Sequence, residues 1–163
     1  DLMMHRRRSE DREEFCFAML DIDHFKRVND RFGHVYGDEV LLWFARVMEE
    51  SFRYSDMLFR YGGEEFVVAL RGMTLEEACG ALERFRRRVE ERHFPLVEHI
   101  TVSIGVSRLE AGEAVTDVVD RADQALYWAK AHGRNRLGCY DRLVAAGELA
   151  AGADGHHEEE LFR

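Results

Sequence analysis

The chain has 163 residues, of which 46% are hydrophobic and 34% are charged, and this length and composition suit one globular domain with its own core. The formal net charge of −9 argues against nucleic acid or an anionic membrane as a general partner, because the surface repels polyanions. The longest apolar runs are far too short to span a bilayer, so we expect a soluble domain without membrane contact.

The cysteines and the first residue add two expectations. Cys16, Cys79 and Cys139 are widely spaced and fit no disulfide or zinc pattern, which favours a reducing, cytoplasmic setting. Because the chain begins with Asp1 rather than Met, we expect a piece of a larger protein, membrane-anchored or not. An upstream sensory or regulatory domain would precede it.

The first third of the chain indicates a lead-in helix, a strand and a short helix. Residues 1–14 are highly charged and predict a solvent-facing helix. Residues 15–20 are continuously apolar, which predicts a central strand buried on both faces, with Asp21 at its end. Asp23 is predicted to cap a short helix that ends at Gly33.

The remainder alternates helical stripes with strand-like runs. Two apolar runs joined by Gly62 and Gly63 predict a β-hairpin. Helices are predicted over residues 38–52, 75–89 and 118–129, and strands over 57–59, 66–70, 100–106 and 137–140.

This order of elements favours the α+β class, with a mostly antiparallel central sheet flanked by helices. We divide the chain into a lead-in at residues 1–14, a domain at 15–141 and a tail at 142–163. The tail has few large apolar residues, so we expect it to pack weakly or to form a marginal helix.

The hairpin turn combines glycine with carboxylate. Glycines let a backbone approach a bulky ligand, and the acidic pair Glu64 and Glu65 suits a hard divalent cation. Asp21 would meet Glu64 if the two strands are neighbours. Taken alone, this segment is also typical of a plain tight turn with a solvated tip, and Glu65 remains open between a metal-site neighbour and a structural acceptor.

Four segments together resemble the successive motifs of the GGDEF diguanylate cyclases, in that family's order and spacing. They are DIDHFKRVNDRFGHVYGD at residues 21–38, RYGGEEF at 60–66, TVSIGV at 101–106 and ADQALYWAKAHGRN at 122–135. The likeness runs from about Phe15 to Tyr140. Residues 1–8 depart from the family's usual opening motif, which leaves the length of the first helix open.

The resemblance implies a palm-like α+β domain of the nucleotidyl-cyclase type that condenses two GTP into cyclic di-GMP and releases two pyrophosphates. Asp21, the main-chain carbonyl of Ile22 and Glu64 would hold Mg²⁺ or Mn²⁺, with two ions expected in each active half-site. Glu64 is also the family's proposed catalytic base, although a metal-bound carboxylate is a compromised base.

The resemblance also implies the nucleotide contacts. Asn29 and Asp38 match the guanine-recognising positions, and a carboxylate can accept both N–H donors of guanine, a pair that adenine lacks. Three cations match the positions that hold the triphosphate, and Gly63 would bring the backbone close to the nucleotide. These cations are Lys26, Lys130 and Arg134.

An RxxD pattern, Arg53 to Asp56, lies where family members bind their own product, and Arg84 matches a second arginine of that site. The resemblance therefore implies inhibition by cyclic di-GMP, while surface ion pairs are the structural alternative. Because one half-site holds one GTP, catalysis would need a homodimer. Two other functions remain open: a non-catalytic module that senses GTP or cyclic di-GMP, and a related cyclase that uses ATP.

Overall fold

The computed structural model describes residues 14–97 and 99–151. Five strands and five helices lie within these ranges. The strands are β1 (Phe15–Ile22), β2 (Met57–Arg60), β3 (Glu65–Arg71), β4 (Val102–Arg108) and β5 (Leu137–Cys139). The helices are α1 (Phe25–Phe32), α2 (His34–Ser51), α3 (Leu75–Glu91), α4 (Val115–Ala131) and α5 (Tyr140–Ala145).

The strands form one sheet in the order β2-β3-β1-β4-β5. Three of its four pairings are antiparallel, and only β4 and β5 run parallel. The predicted hairpin is present as β2 and β3, and the predicted α+β class is confirmed. Strand β1 lies at the centre, so its end is flanked by the hairpin on one side and by β4 on the other.

Strand β1 is buried on both faces, as its unbroken apolar run predicts. Alternate residues such as Ala18 and Leu20 join the large core under α1, α2 and α3. Phe17 and Met19 point the other way, into a smaller core that includes buried residues of α4. Because side chains alternate along a strand, only a strand that is apolar at every position can serve both cores.

The predicted capping role of Asp23 is wrong. Helix α1 is preceded by His24, and no side chain caps its first turn. The Asp23 carboxylate instead accepts hydrogen bonds from two hydroxyl groups and one main-chain amide, all far away in sequence. These partners compete with the local helix amides for the same two oxygens and occupy them. Gly33 does end α1, with a φ of 88°.

Several boundaries differ from the prediction, including the start of α2 and the position of β4. Helix α2 begins at His34 rather than Asp38, because Gly33 alone separates it from α1. Strand β4 is displaced by two residues towards the C-terminus, to Val102–Arg108, where it pairs with β1 along its full length. Pairing with the central strand β1 sets the ends of β4, and the local alternation of apolar residues does not show this pairing.

Helix α4 packs unusually close to the sheet at Gly105. A Cβ atom at Gly105 would overlap the backbone of α4 at Ala122 and Leu126. The absence of a side chain therefore lets the helix backbone lie directly on β4. This close approach fixes the height of α4 above the sheet, and with it the position of Lys130 near the helix end.

Helix α5 spans the predicted boundary between the domain and the tail, at residues 141 and 142. Its Tyr140 and Leu143 are buried together with Ala125 of α4. Residues 152–163, and the predicted lead-in helix except Glu14, lie outside the described residues. Among the helices described, none combines the length and the apolarity needed to cross a membrane.

We expect Gly105→Ala to lower the free energy of unfolding by about 3 kcal/mol, because the added methyl group must push α4 away from the sheet. Urea denaturation would measure the loss. Gly63→Ala is the matched control, since a Cβ there meets no atom within 4 Å, and it should change stability by less than about 1 kcal/mol. Equal losses in the two variants would contradict the packing argument.

Candidate active site

The metal-binding residues inferred from the sequence lie together at the end of β1. Glu65 is the register partner of Asp21 across the β1–β3 ladder. The main-chain N–H of Ile22 donates to the carbonyl of Glu64 over 3.3 Å. Asp21, Ile22 and the two glutamates of the hairpin therefore meet at one edge of the sheet, because β1 and β3 are neighbours.

Asp21 is a buried carboxylate paired with a buried ammonium. Its side chain is 5% exposed, and that of its partner Lys130 is 3% exposed. Burial raises the pKa of Asp21 to about 6. The positive charge of Lys130 opposes this rise, whereas the negative charges of Glu64 and Glu65 add to it. The clustered negative charges make this end of β1 a place where additional positive charge is stabilising.

The donor chemistry of this edge fits a hard divalent cation. A carboxylate at the end of β1, a carboxylate in the hairpin turn and a main-chain carbonyl are the oxygen ligands that Mg²⁺ and Mn²⁺ prefer. Within residues 14–97 and 99–151, no group of three or more histidine, cysteine, aspartate or glutamate side chains is arranged to hold a metal ion. Any ion here would therefore take its other ligands from a bound phosphate or from water.

The hairpin tip exposes backbone rather than side chain. Gly63 is exposed, and a Cβ added there would meet no atom within 4 Å. The Arg60 guanidinium donates to the carbonyls of Gly62, over 3.2 Å, and of Gly63, over 2.8 Å. Arg60 therefore shapes the turn from one side and leaves the other side of Gly63 open to a ligand.

A groove between α2 and the hairpin begins at Asp38. It has a volume of about 510 Å³ and is lined mainly by apolar side chains, including Leu41 and Phe66. Asn29 lies next to it, because a Cβ on Gly37 would overlap the Asn29 side-chain oxygen. Gly37 thus lets the amide of Asn29 lie against the backbone beside Asp38. The groove therefore offers a mainly apolar surface, and its charged lining residues are Asp38, Glu49 and Arg60.

Positive charge collects just beyond the β1 end, around the start of α1 and the turn after α4. Partial burial and the charges of Arg27 and Arg134 lower the pKa of His24, which places both guanidinium groups near the start of α1. Lys26 is exposed on the same helix. An acidic protein thereby presents a local cationic surface beside the carboxylate cluster.

Comparison with known proteins agrees with this geometry. The sequence model for "Diguanylate cyclase, GGDEF domain" matches residues 2–136. The chain belongs to the GGDEF domain family. The diguanylate cyclase DgcP of Pseudomonas aeruginosa is 46% identical over 136 residues, and the match covers 80% of this chain and 20% of DgcP. DgcM of Escherichia coli is 41% identical over 125 residues, covering 77% of this chain and 30% of DgcM.

Solved structures show the same fold. The GGDEF domain of DgcB from Caulobacter crescentus, in complex with c-di-GMP, has a TM-score of 0.78 at 34% identity, with 85% of each chain covered. The active GGEEF domain of a Vibrio cholerae diguanylate cyclase has a TM-score of 0.74 at 38% identity, covering 85% of this chain and 90% of that domain. The chain thus matches isolated GGDEF domains along most of their length, but spans only about a fifth to a third of the DgcP and DgcM sequences.

Arg53 and Arg84, which match the product-binding positions of the GGDEF family, each adjoin a phenylalanine of one aromatic contact. The rings of Phe52 and Phe85, the chain neighbours of Arg53 and Arg84, pack with centroids 5.2 Å apart. Both arginines are exposed. Asp56, in contrast, has a fully buried side chain that accepts from the main-chain N–H groups of Arg53 and Arg71 and from the Arg53 guanidinium. Asp56 therefore holds Arg53 in place.

Sequence reasoning missed several residues of this GGDEF site. Leu41 and Phe66 fall within a predicted helix and a predicted strand, and both also line the groove. Gly37 directly precedes Asp38, and a glycine beside a candidate base-reading carboxylate signals close approach of a neighbour. The pairing of Lys130 with Asp21 joins residues 109 positions apart, and no local pattern indicates it.

We expect Lys130→Met to lower the free energy of unfolding by about 3 kcal/mol near neutral pH, because it leaves the buried Asp21 carboxylate without a counter-charge. The double variant Asp21→Asn/Lys130→Met should recover most of this loss. Thermal and urea denaturation would measure both.

Lys26→Met is the matched control, because Lys26 is exposed, and it should stay within about 0.5 kcal/mol of the parent. A loss that persists undiminished in the double variant would show that Lys130 does not act through Asp21.

Proposed function

We propose that this chain is a metal-dependent diguanylate cyclase that condenses two GTP into cyclic di-GMP. The observation that carries the proposal is the meeting of Asp21 with the GGEEF hairpin, directly beside the groove that starts at Asp38. Cyclases of this family generally depend on a divalent cation. In the reaction, each 3′-hydroxyl attacks the α-phosphorus of the other GTP, a P–O bond forms, pyrophosphate leaves and the hydroxyl proton is released.

Asp21, the Ile22 carbonyl and Glu64 would hold Mg²⁺ or Mn²⁺, with two ions in each half-site. A bound ion of this kind supplies neutralisation of phosphate charge and acidifies a coordinated hydroxyl. Glu64 is half-buried on the hairpin and is the residue proposed to accept the proton. Its proximity to Asp21 supports joint ligation, and we rank ligation as its first role.

The groove supports guanine as the base. The Asp38 carboxylate can accept both N–H donors on the Watson–Crick edge of guanine, and the Asn29 amide beside it can add a further hydrogen bond. Adenine would leave the carboxylate without this matched pair, which is costly once the base covers it. The apolar lining would contact the faces of the purine ring.

Lys26, Lys130 and Arg134 are proposed to bind the triphosphate, with the Gly63 backbone close to the nucleotide. Arg134 and Lys26 belong to the cationic surface near the start of α1, and the net charge of −9 makes such a local surface necessary for an anionic substrate. Lys130 pairs with Asp21, so in this assignment the same ammonium neutralises the carboxylate and faces the phosphate side.

One half-site with one base groove holds one GTP, and we therefore propose that catalysis occurs when two copies meet with their half-sites facing. A two-fold arrangement places each 3′-hydroxyl opposite the other α-phosphate. Arg53 and Arg84 are proposed to bind the product at an inhibitory site, and Asp56 would contribute by orienting Arg53. The DgcB domain bound to c-di-GMP supports product binding as a property of a similar domain.

Incubation of the purified chain with GTP and Mg²⁺, followed by chromatography, should yield cyclic di-GMP and pyrophosphate, with specific activity that rises with protein concentration. Asp21→Asn and Glu64→Gln should each lower the rate by at least about a hundredfold, because each removes a carboxylate that faces developing charge. Glu39→Gln is the control, since Glu39 is exposed on α2 outside the groove.

Three results would contradict the proposal. GTP that binds without turnover at high protein concentration would support the sensing module instead. Faster turnover of ATP than of GTP would support a different nucleotidyl cyclase. Equal effects of Glu39→Gln and Glu64→Gln would contradict the role assigned to Glu64 of the hairpin.

We expect Arg53→Ala and Arg84→Ala each to weaken cyclic di-GMP binding by at least about tenfold while leaving the KM for GTP unchanged, because each removes a charged hydrogen-bond donor from the product site only. Titration calorimetry and inhibition curves would measure this. Arg87→Ala is the matched control on α3, since Arg87 is exposed and pairs with Glu83. Undiminished inhibition in both variants would place the product elsewhere.

A further inference from the structure

Asp23 connects three separate segments at the end of β1. It is 6% exposed, and one carboxylate oxygen accepts from the Ser103 hydroxyl over 2.6 Å. The other oxygen accepts from the Thr101 hydroxyl over 2.7 Å and from the main-chain N–H of Asn135 over 2.9 Å. The carboxylate is therefore fully engaged within the protein, which leaves it poorly suited to act as a metal ligand beside Asp21.

The segment that Asp23 holds through Asn135 is a strained turn. Gly133, Arg134 and Asn135 have consecutive positive φ angles of 110°, 61° and 44°. Side chains disfavour this conformation, so Arg134 and Asn135 keep it only where other contacts impose it. The turn separates α4, which ends just after Lys130, from β5.

A second contact holds the turn from the opposite side. The Arg86 guanidinium of α3 donates to the Asn135 side-chain oxygen over 2.8 Å. Arg86 is itself fixed by the carboxylates of Glu83 and Glu90. The main-chain N–H of Asn135 is thus bound by Asp23, and its side-chain oxygen is bound by Arg86. These two contacts together hold the conformation of its neighbour Arg134.

We propose that Asp23 is a positioning residue that aligns the phosphate-binding turn with the metal-binding end of β1. Asp23 directly follows β1, two residues after Asp21, and accepts from the main-chain N–H of Asn135, the residue next to Arg134 on the turn. A single carboxylate therefore sets the spacing between the two halves of the triphosphate site. The inference rests on the proposed function, and it assigns Asp23 a role in affinity for the phosphates rather than for the base.

Hydrogen-bonding capacity predicts which substitution preserves the role. In Asp23→Asn, the remaining oxygen can still accept from Asn135 and Thr101, and the new NH₂ group can donate to the Ser103 hydroxyl, which rotates to accept. In Asp23→Ala, the main-chain N–H of Asn135 loses its acceptor. Rescue by asparagine therefore distinguishes alignment of the turn from a need for negative charge.

The test compares binding of two ligands that differ only in their phosphates: guanosine, and a GTP analogue whose α–β bridging oxygen is replaced by methylene, both with Mg²⁺. Asp23→Ala should weaken analogue binding at least about tenfold, the effect of losing one charge-assisted contact, and leave guanosine binding within about twofold. Hydrogen exchange at the main-chain N–H of Asn135 should accelerate in the same variant. Asp23→Asn, and Thr101→Val as a control that keeps the Asn135 bond, should resemble the parent in all three measurements.

Proportional loss of both ligands, unchanged analogue binding in a folded Asp23→Ala, or failure of asparagine to rescue would each overturn the proposal. If Asp23→Ala does not fold, Asp23→Ser, whose hydroxyl is too short to reach Asn135, is judged by the same criteria. An Asn135 amide that exchanges in the parent as fast as an unstructured one would also overturn it. A parent that binds neither ligand would refute the proposed function, while the exchange measurement still tests how the turn is held.

Discussion

The candidate site depends on the burial of β1 on both faces. A strand that is apolar on both sides and paired on both edges cannot shift its register without exposing one core or the other. Its last residues are therefore fixed relative to the hairpin, to β4 and to α4 at once. The positions of the polar residues at this end are therefore fixed as well, because the same strand pairings determine the stability of the core and the geometry of the site.

Opposite charges are separated within a few residues of this strand end. The carboxylates of Glu64 and Glu65 lie close enough to Asp21 to raise its pKa, and the guanidinium groups of Arg27 and Arg134 lie close enough to His24 to lower its pKa. An anionic nucleotide can bind an acidic protein only where such a local arrangement exceeds the repulsion of the whole surface. The buried pairing of Lys130 with Asp21 limits the charge left uncompensated in the core.

The order and type of the elements could be predicted from the sequence, because apolar periodicity and turn residues are local signals. The hairpin and the burial of β1 were predicted in this way. Boundaries shifted where pairing overrides pattern, as in β4, or where one glycine joins two helices, as before α2. The role of Asp23 was wrong because an aspartate before a helix is typical of a cap, and the competing hydroxyls lie 78 and 80 residues away. The burial of Asp56, which makes it an acceptor for main-chain N–H groups, is a property of the fold that the RxxD pattern does not show.

The bond between Asp23 and Asn135 spans 112 positions, and this separation has a consequence for synthesis of the chain. A nascent polypeptide emerges from its N-terminal end, so β1 and the hairpin leave the ribosome long before the turn that contains Asn135. Contacts of such long range are also the slowest to form during folding. Under the proposed function, a nucleotide could therefore assist only the late steps of folding, after almost the whole domain has been made.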